Sequence, residues 1–197
     1  MATRTQMKKY LVSSEYIDWQ HPLVTVKALE LANSCQSDEA IAKRCFEFVR
    51  DEIKHSWDYR LNPLTCKASD VLRYGTGYCY AKSHLLAALL RANAIPAGLC
   101  YQRLTIANDS QPYCLHGLNA VYLQKYGWYR MDARGNKANV NAQFSPPIEK
   151  LAFSIISCWE RDLPEIWAEP LSIVVNSLMQ YQTVEQFIEN LPDIEVI

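Results

Sequence analysis

The stretch GTGYCYAKSHLLAALLRANAIPAG, residues 75–98, constrains the fold more than any other. Leu85, Leu86, Leu89 and Leu90, with Ala81, Ala87 and Ala88, give a helix a wide apolar face. Such a helix is buried, and its N-terminus is therefore held rigidly. With 197 residues, 49% hydrophobic and 21% charged, the chain can bury a core without disulfide or metal staples.

The flanking pattern predicts the fold class. Upstream, residues 22–35 carry apolar positions at Leu23, Val26, Leu29 and Cys35, which suits a helix starting at Pro22. Ser37 or Asp38 caps a second helix with a stripe of Ile41, Cys45, Phe48, Val49 and Ile53. WDYRLNPLT reads as a loop, and KASDVLRYG as a short helix stopped at Gly75. Downstream the period changes. Residues 97–106, 115–124 and 127–135 read as strands, the last two joined at KYG as a hairpin. LAFSIIS is a candidate further strand, and ERDLPE a solvated turn. Two helices follow near 170–181 and 183–190, the second capped by Thr183. Helices, then strands, then helices make an α+β fold rather than an alternating βαβ one. We expect one domain over 1–197, with a core at about 22–150 and a helical extension at about 151–197. The extension's apolar helices need a surface and are candidates to cover a cleft.

Several function classes are disfavoured. A net charge of −1 gives no basic footprint for nucleic acid. No run approaches the roughly 18 apolar residues of a membrane span, and the N-terminus lacks a signal-like apolar core. The seven cysteines, at 35, 45, 66, 79, 100, 114 and 158, form no regular framework and no CxxC pair. Reduced thiols in a cytoplasm are expected, with no metal site.

Among these cysteines, Cys79 alone follows a glycine-rich break and opens a helix. Unpaired N–H groups and the helix dipole at such a place favour a thiolate. Gly75 and Gly77 free the loop to approach a substrate. A nucleophilic thiol also needs a base, and the base an orienting group. His84 lies five residues on, about 140° around the helix from Cys79, and is a poor partner. His116 opens the apolar strand HGLNAVYL, and Asp132 lies in GWYRMDARG on the next one. Adjacent antiparallel strands would bring the two side by side, with the carboxylate fixing the imidazole tautomer. Asp109 is a rival acid, but NDSQP reads as a loop. Cys114 shares the strand face of His116 and either lines the site or, the favoured reading, fills the core beside it. The backbone N–H of Cys79 is one oxyanion donor. A second comes from SWDYRLNP, through Trp57 or Tyr59, although Trp57 equally suits core packing. Gly77 and Tyr78, leading into Cys79, are candidates to line the same site.

The order Cys, His, Asp resembles the transglutaminase-like family of papain-fold cysteine enzymes. The motifs that carry the likeness are ASDVLRYGTGYC, LLAALLRANAIPAGL, HGLNAVYL and YGWYRMDAR, over about residues 40–135. The chain departs from the family after His116, which Gly117 follows and where an aromatic residue is often found at the second position. It departs again at Asn119 and Ala120, which replace an acidic residue, and at Arg134, where Pro or Thr is usual. The resemblance implies a papain-like core with the nucleophile helix packed on an antiparallel sheet. It also implies nucleophile Cys79, base His116 and orienting Asp132, with no calcium site in a chain this short. The expected activity is acyl transfer from an amide through a thioester, with hydrolysis favoured and transfer to an amine open. The substrate is a peptide, protein or small amide, and no cofactor is implied. A rival reading is a non-catalytic binding domain that keeps the fold. A metal site of Cys79, His84, Cys114 and His116 has the wrong spacing.

Overall fold

The computed structural model describes residues 7–107 and 110–194. The first six residues and Asp109, both weighed in the sequence, lie outside them.

The Leu-rich stretch forms helix α5, Cys79–Ala92, and every residue from Cys79 to Arg91 is buried. Helices α1 (Pro22–Ala32), α2 (Asp38–Asp51) and α4 (Ala68–Tyr74) pack on it, and so do strands β3 (Ala97–Ala107) and β4 (Ser110–Leu123). Burying three basic side chains on α5 requires partners, and backbone carbonyls supply them. Lys82 donates to the Ile53 carbonyl just past the end of α2. His84 Nδ1 lies 2.8 Å from the Cys66 carbonyl. The Arg91 guanidinium donates to the carbonyls of Val12, Ala97 and Ala168. These bonds gather segments distant in sequence around one helix.

The N-terminal helices follow their caps. Pro22 occupies the first turn of α1, and the His21 side chain accepts from the Leu23 N–H. The buried face of α1 is Val24 and Ala28, while Leu23, Val26 and Leu29 face outward, contrary to the expected stripe. Small residues win that face because α1 and α5 approach closely; Asn93 just past α5 donates to the Ala28 carbonyl at 3.1 Å. Ser37 caps α2 through the Ala40 N–H. Gly75 ends α4 at φ +65°, the left-handed position that favours glycine. The end of the expected second helix is instead strand β1 (Lys54–His55), and the expected loop WDYRLNPLT is entered through one helical turn, α3 (Ser56–Tyr59). β1 pairs in parallel with β2 (Thr76–Gly77), His55 opposite Gly77, so α3 lies beside the start of α5.

The sheet runs β5-β4-β3-β6, with β5 at Gly127–Met131 and β6 at Arg161–Asp162. β3 and β4 are antiparallel from Ala97 opposite Val121 to Thr105 opposite Tyr113. The β4–β5 hairpin turns at Gln124–Tyr126. Two expectations need correction. ERDLPE is not only a turn, since Arg161 and Asp162 pair with the edge of β3. LAFSIIS is not a strand, because its backbone is recruited elsewhere: the Ala152 N–H donates to the Asp132 carboxylate. The chain closes with α6 (Ser172–Gln180) and α7 (Val184–Ile188), the latter capped by Thr183.

Candidate active site

Cys79 is the first residue of α5, and the β4 backbone passes it closely. The Gly117 N–H points at the Cys79 sulfur at 3.5 Å. A Cβ on Gly117 would stand 2.8 Å from a ring carbon of Tyr80, which favours glycine at this position. The Tyr80 hydroxyl in turn donates to the Leu115 carbonyl. The start of the helix is thus pinned on both sides of His116.

His116 and Asp132 are both buried, and His116 Nε2 lies 2.7 Å from Asp132 Oδ2. Asp132 is not within the third strand, as the pattern predicted, but is the first residue after β5. Its carboxylate turns the chain: Oδ1 accepts from the Arg134 N–H at 3.0 Å and Oδ2 from the Ala152 N–H at 3.1 Å. Phe153 stands edge-on to the His116 ring at 4.9 Å and shields it. Burial alone would push the imidazole down. The charges of Asp132 and Cys79, with hydrogen bonds to both, outweigh burial and raise it to about 10. Burial opposes ionisation of Asp132, but the His116 charge and bond, with the two N–H donors, hold it below its ordinary value. With Nε2 committed to Asp132, Nδ1 is the ring nitrogen left for the Cys79 sulfur.

Cys79 and His116 open on a cleft of about 480 Å³. Trp57 and Tyr78 line it. Tyr59 does not: its ring is 56% exposed and carries the Lys54 ammonium 5.2 Å from its centroid. Two residues along a helix turn the direction by about 200°, so Trp57 faces the cleft and Tyr59 points away from it. Gly77 also lies away from it. A Cβ there would sit 3.3 Å from Ala81, Thr65 and Val71, so this glycine serves packing. Cys114, expected to fill the core, is half-buried and lines the cleft. Burial, then the Cys79 charge, pushes its thiol up to about 12. His84 faces the Cys66 carbonyl and does not join. Among the described residues, no group of three or more His, Cys, Asp or Glu side chains is arranged to hold a metal ion.

Two residues missed in the sequence join the site. The Arg134 guanidinium makes a bidentate pair with Asp58 on α3, at 2.6 and 3.0 Å. Lys137 adds a third bond to the same carboxylate at 2.8 Å. His55 lines the cleft, fully buried, with Nδ1 3.6 Å from Asp58. Burial first, then the Arg134 charge, holds it well below an ordinary histidine, so it stays neutral. Arg134 left one signal, its departure from the resembling motif. His55 left none, because a lone histidine after a helix is unremarkable.

A family model, the transglutaminase-like superfamily, matches residues 27–133, more than half of the chain. Among solved structures, the fold is similar to that of a candidate cysteine protease from Cytophaga hutchinsonii. The two share 18% identity with a TM-score of 0.55, over 67% of this chain and 43% of that one. It is also similar to the periplasmic domain of TgpA from Pseudomonas aeruginosa, at 19% identity and TM-score 0.50, over 68% of this chain and 48% of that one. Red sea bream transglutaminase is 11% identical with a TM-score of 0.50, over 68% and 32%. The chain spans less than half the length of each of these structures. No curated protein matches it.

Proposed function

The chain belongs to the transglutaminase-like superfamily, and from that premise we propose that it is a cysteine-dependent acyl-transfer enzyme acting on an amide. The observation that carries this reading is the 2.7 Å His116–Asp132 bond beside Cys79 at the start of a buried helix. In the first step the Cys79 thiolate attacks the amide carbonyl carbon. The oxyanion is met by the Cys79 N–H and by a donor from the Trp57 turn. The C–N bond breaks, and the His116 imidazolium gives its proton to the departing amine. A thioester remains. In the second step water attacks it, His116 takes the water's proton, and the carboxylic acid leaves as Cys79 is restored. Hydrolysis is favoured, and an amine in place of water would give transfer. Asp132 orients the ring and stabilises its charged form. Free thiols at all seven cysteines support a reducing, cytoplasmic setting.

The test combines alkylation with turnover. Iodoacetamide is expected to label Cys79 at pH 6 much faster than a model thiol. Cys79→Ala and His116→Ala are each expected to abolish release from a fluorogenic amide, measured with and without an added amine. Labelling no faster than a model thiol, with peptides still bound by Cys79→Ala, would favour a non-catalytic binding domain.

A further inference from the structure

The charged side chains Arg134 and Glu160 that line the cleft around Cys79 are engaged by neighbouring groups. Arg134 is paired with Asp58, which Lys137 shares. Glu160 accepts from the Thr105 N–H at 3.2 Å, the Thr105 hydroxyl at 2.9 Å and the Ile156 N–H at 3.0 Å. Beside the polar Asn139 and Ser154, the lining has an apolar part: Leu104 and Ile106 on β3, Phe153 and Ile156 on the segment before β6, and Ile188 and Leu191 from the tail. The apolar surface continues past the cavity. Ile106 is 49% exposed and Ile156 is 77% exposed, and both also line the cleft. Ile155 and Trp159, 38% and 60% exposed, flank Ile156 on the same segment. Glu160 joins the two halves of this rim, because it bonds Thr105, next to Ile106, and the backbone of Ile156. A small amide would fit within about 480 Å³ without touching the outer rim. Large apolar side chains left exposed at the mouth of a cleft, Ile106 and Ile156 belonging to both, suit a binding site for something larger.

We propose that Ile106, Ile155, Ile156 and Trp159 form an exosite for a hydrophobic polypeptide segment next to the amide presented to Cys79. The proposal deepens the acyl-transfer reading and rests on it. The continuity of rim and cavity ties the segment to the substrate of Cys79. A membrane surface fits less well. Glu160, Arg161 and Asp162 follow one another beside the rim, without the cationic excess that holds proteins on anionic lipid.

The test uses the full chain and internally quenched peptides that share one central amide. One peptide carries Leu, Ile and Phe beside that amide, and the other Ser and Asp. The apolar peptide is expected to turn over at least tenfold better in kcat/KM, mainly through KM. In the double variant Ile156→Ser with Trp159→Ser, both exposed positions, that ratio is expected to fall at least threefold. Equal turnover of the two peptides overturns the exosite, and so does a preference that survives the double variant. If no amide turns over, the acyl-transfer reading fails, and the exosite is judged on Cys79→Ala by fluorescence anisotropy. Tighter binding of the apolar peptide that is lost in the rim variant sustains the exosite, and equal or absent binding overturns it. Rim-dependent sedimentation with phosphatidylcholine–phosphatidylserine vesicles, without peptide preference, overturns it in favour of a lipid surface.

Discussion

At the scale of single residues, the charge on His116 is the quantity to measure. In the proposed acyl transfer its proton goes to the leaving amine, and on that reading activity is expected to persist through neutral pH and fall as pH approaches about 10. Asp132 is the main cause that raises the imidazole. Asp132→Asn is therefore expected to move the alkaline limb of kcat/KM down, toward about 6.5, and to lower the maximum roughly 10²–10⁴-fold. An unmoved limb would mean that Asp132 does not set the proton affinity of His116. The same pair links stability to pH. The folded-state value of His116 lies above its unfolded one, so its contribution is full below about 6.5 and is lost as pH rises through about 10. Asp132 is depressed on folding, so its share is present above about 4 and is lost as pH falls. Melting temperatures across pH 3–11 should thus show a plateau that Asp132→Asn flattens. Gly117 supports a second expectation. Gly117→Ala forces a methyl within 2.8 Å of Tyr80, an overpacking cost of about 1–3 kcal/mol, and displaces the N–H at the Cys79 sulfur. A denaturation midpoint measures the first effect and the alkylation rate of Cys79 the second.

At the scale of elements, the site depends on one tie. Arg134 holds Asp132 with its backbone N–H and holds α3, the turn bearing Trp57, with its guanidinium. The His116–Asp132 side and the Trp57 side of the cleft are therefore spaced by a single residue. Arg134→Lys keeps the charge but loses the two-pronged geometry. It is expected to lower kcat per alkylatable thiol about tenfold with KM little changed, as a misplaced oxyanion donor would. Loss of melting temperature alone, with kcat intact, would reduce the pair to a structural bridge. Here the sequence was informative only in part. The grouping of Cys79, His116 and Asp132 was legible because each carries its own local signal: a glycine break, an apolar strand, a Gly-Trp hairpin arm, although His116 stands within β4 rather than at its start. Arg134 and Asp58 are 76 residues apart, and nothing local to either announces the other. Tyr59 and Gly77 lie outside the cleft lining for a related reason. Proximity in sequence to the nucleophile was visible, but the turn of α3 and the tight packing of β2 decide which side faces the cleft. LAFSIIS has strand composition, yet Asp132 claims its backbone N–H, and that competition is tertiary.

At the scale of the whole molecule, the C-terminal tail completes the cleft that the central helix begins. Phe187 is fully buried, 4.9 Å from the Tyr78 ring and 6.3 Å from the Tyr80 ring, on either side of Cys79. Ile188 and Leu191 then form part of the cleft wall. The tail is fastened at three places: Val184 N–H to Asn62, the Pro192 carbonyl to the Leu115 N–H, and the Asp193 carboxylate to Arg103 at 2.6 and 2.7 Å. The sequence suggested a cover from two apolar helices but not its place, which these long-range bonds decide. Two substitutions separate cover from support. Phe187→Ala removes a fully buried ring and should cost about 3–5 kcal/mol, with a loss of kcat because Tyr78 leads directly into Cys79. Asp193→Ala breaks a partly exposed ion pair worth no more than about 1 kcal/mol, so the fold should barely notice. If the tail forms the working wall of the cleft, Asp193→Ala should still raise KM severalfold for peptides with bulky apolar side chains, because Ile188 and Leu191 are less firmly held. A KM unchanged in Asp193→Ala, with kcat per folded molecule unchanged in Phe187→Ala, would make the tail a stabilising wrap and leave substrate selection to the rim and β3.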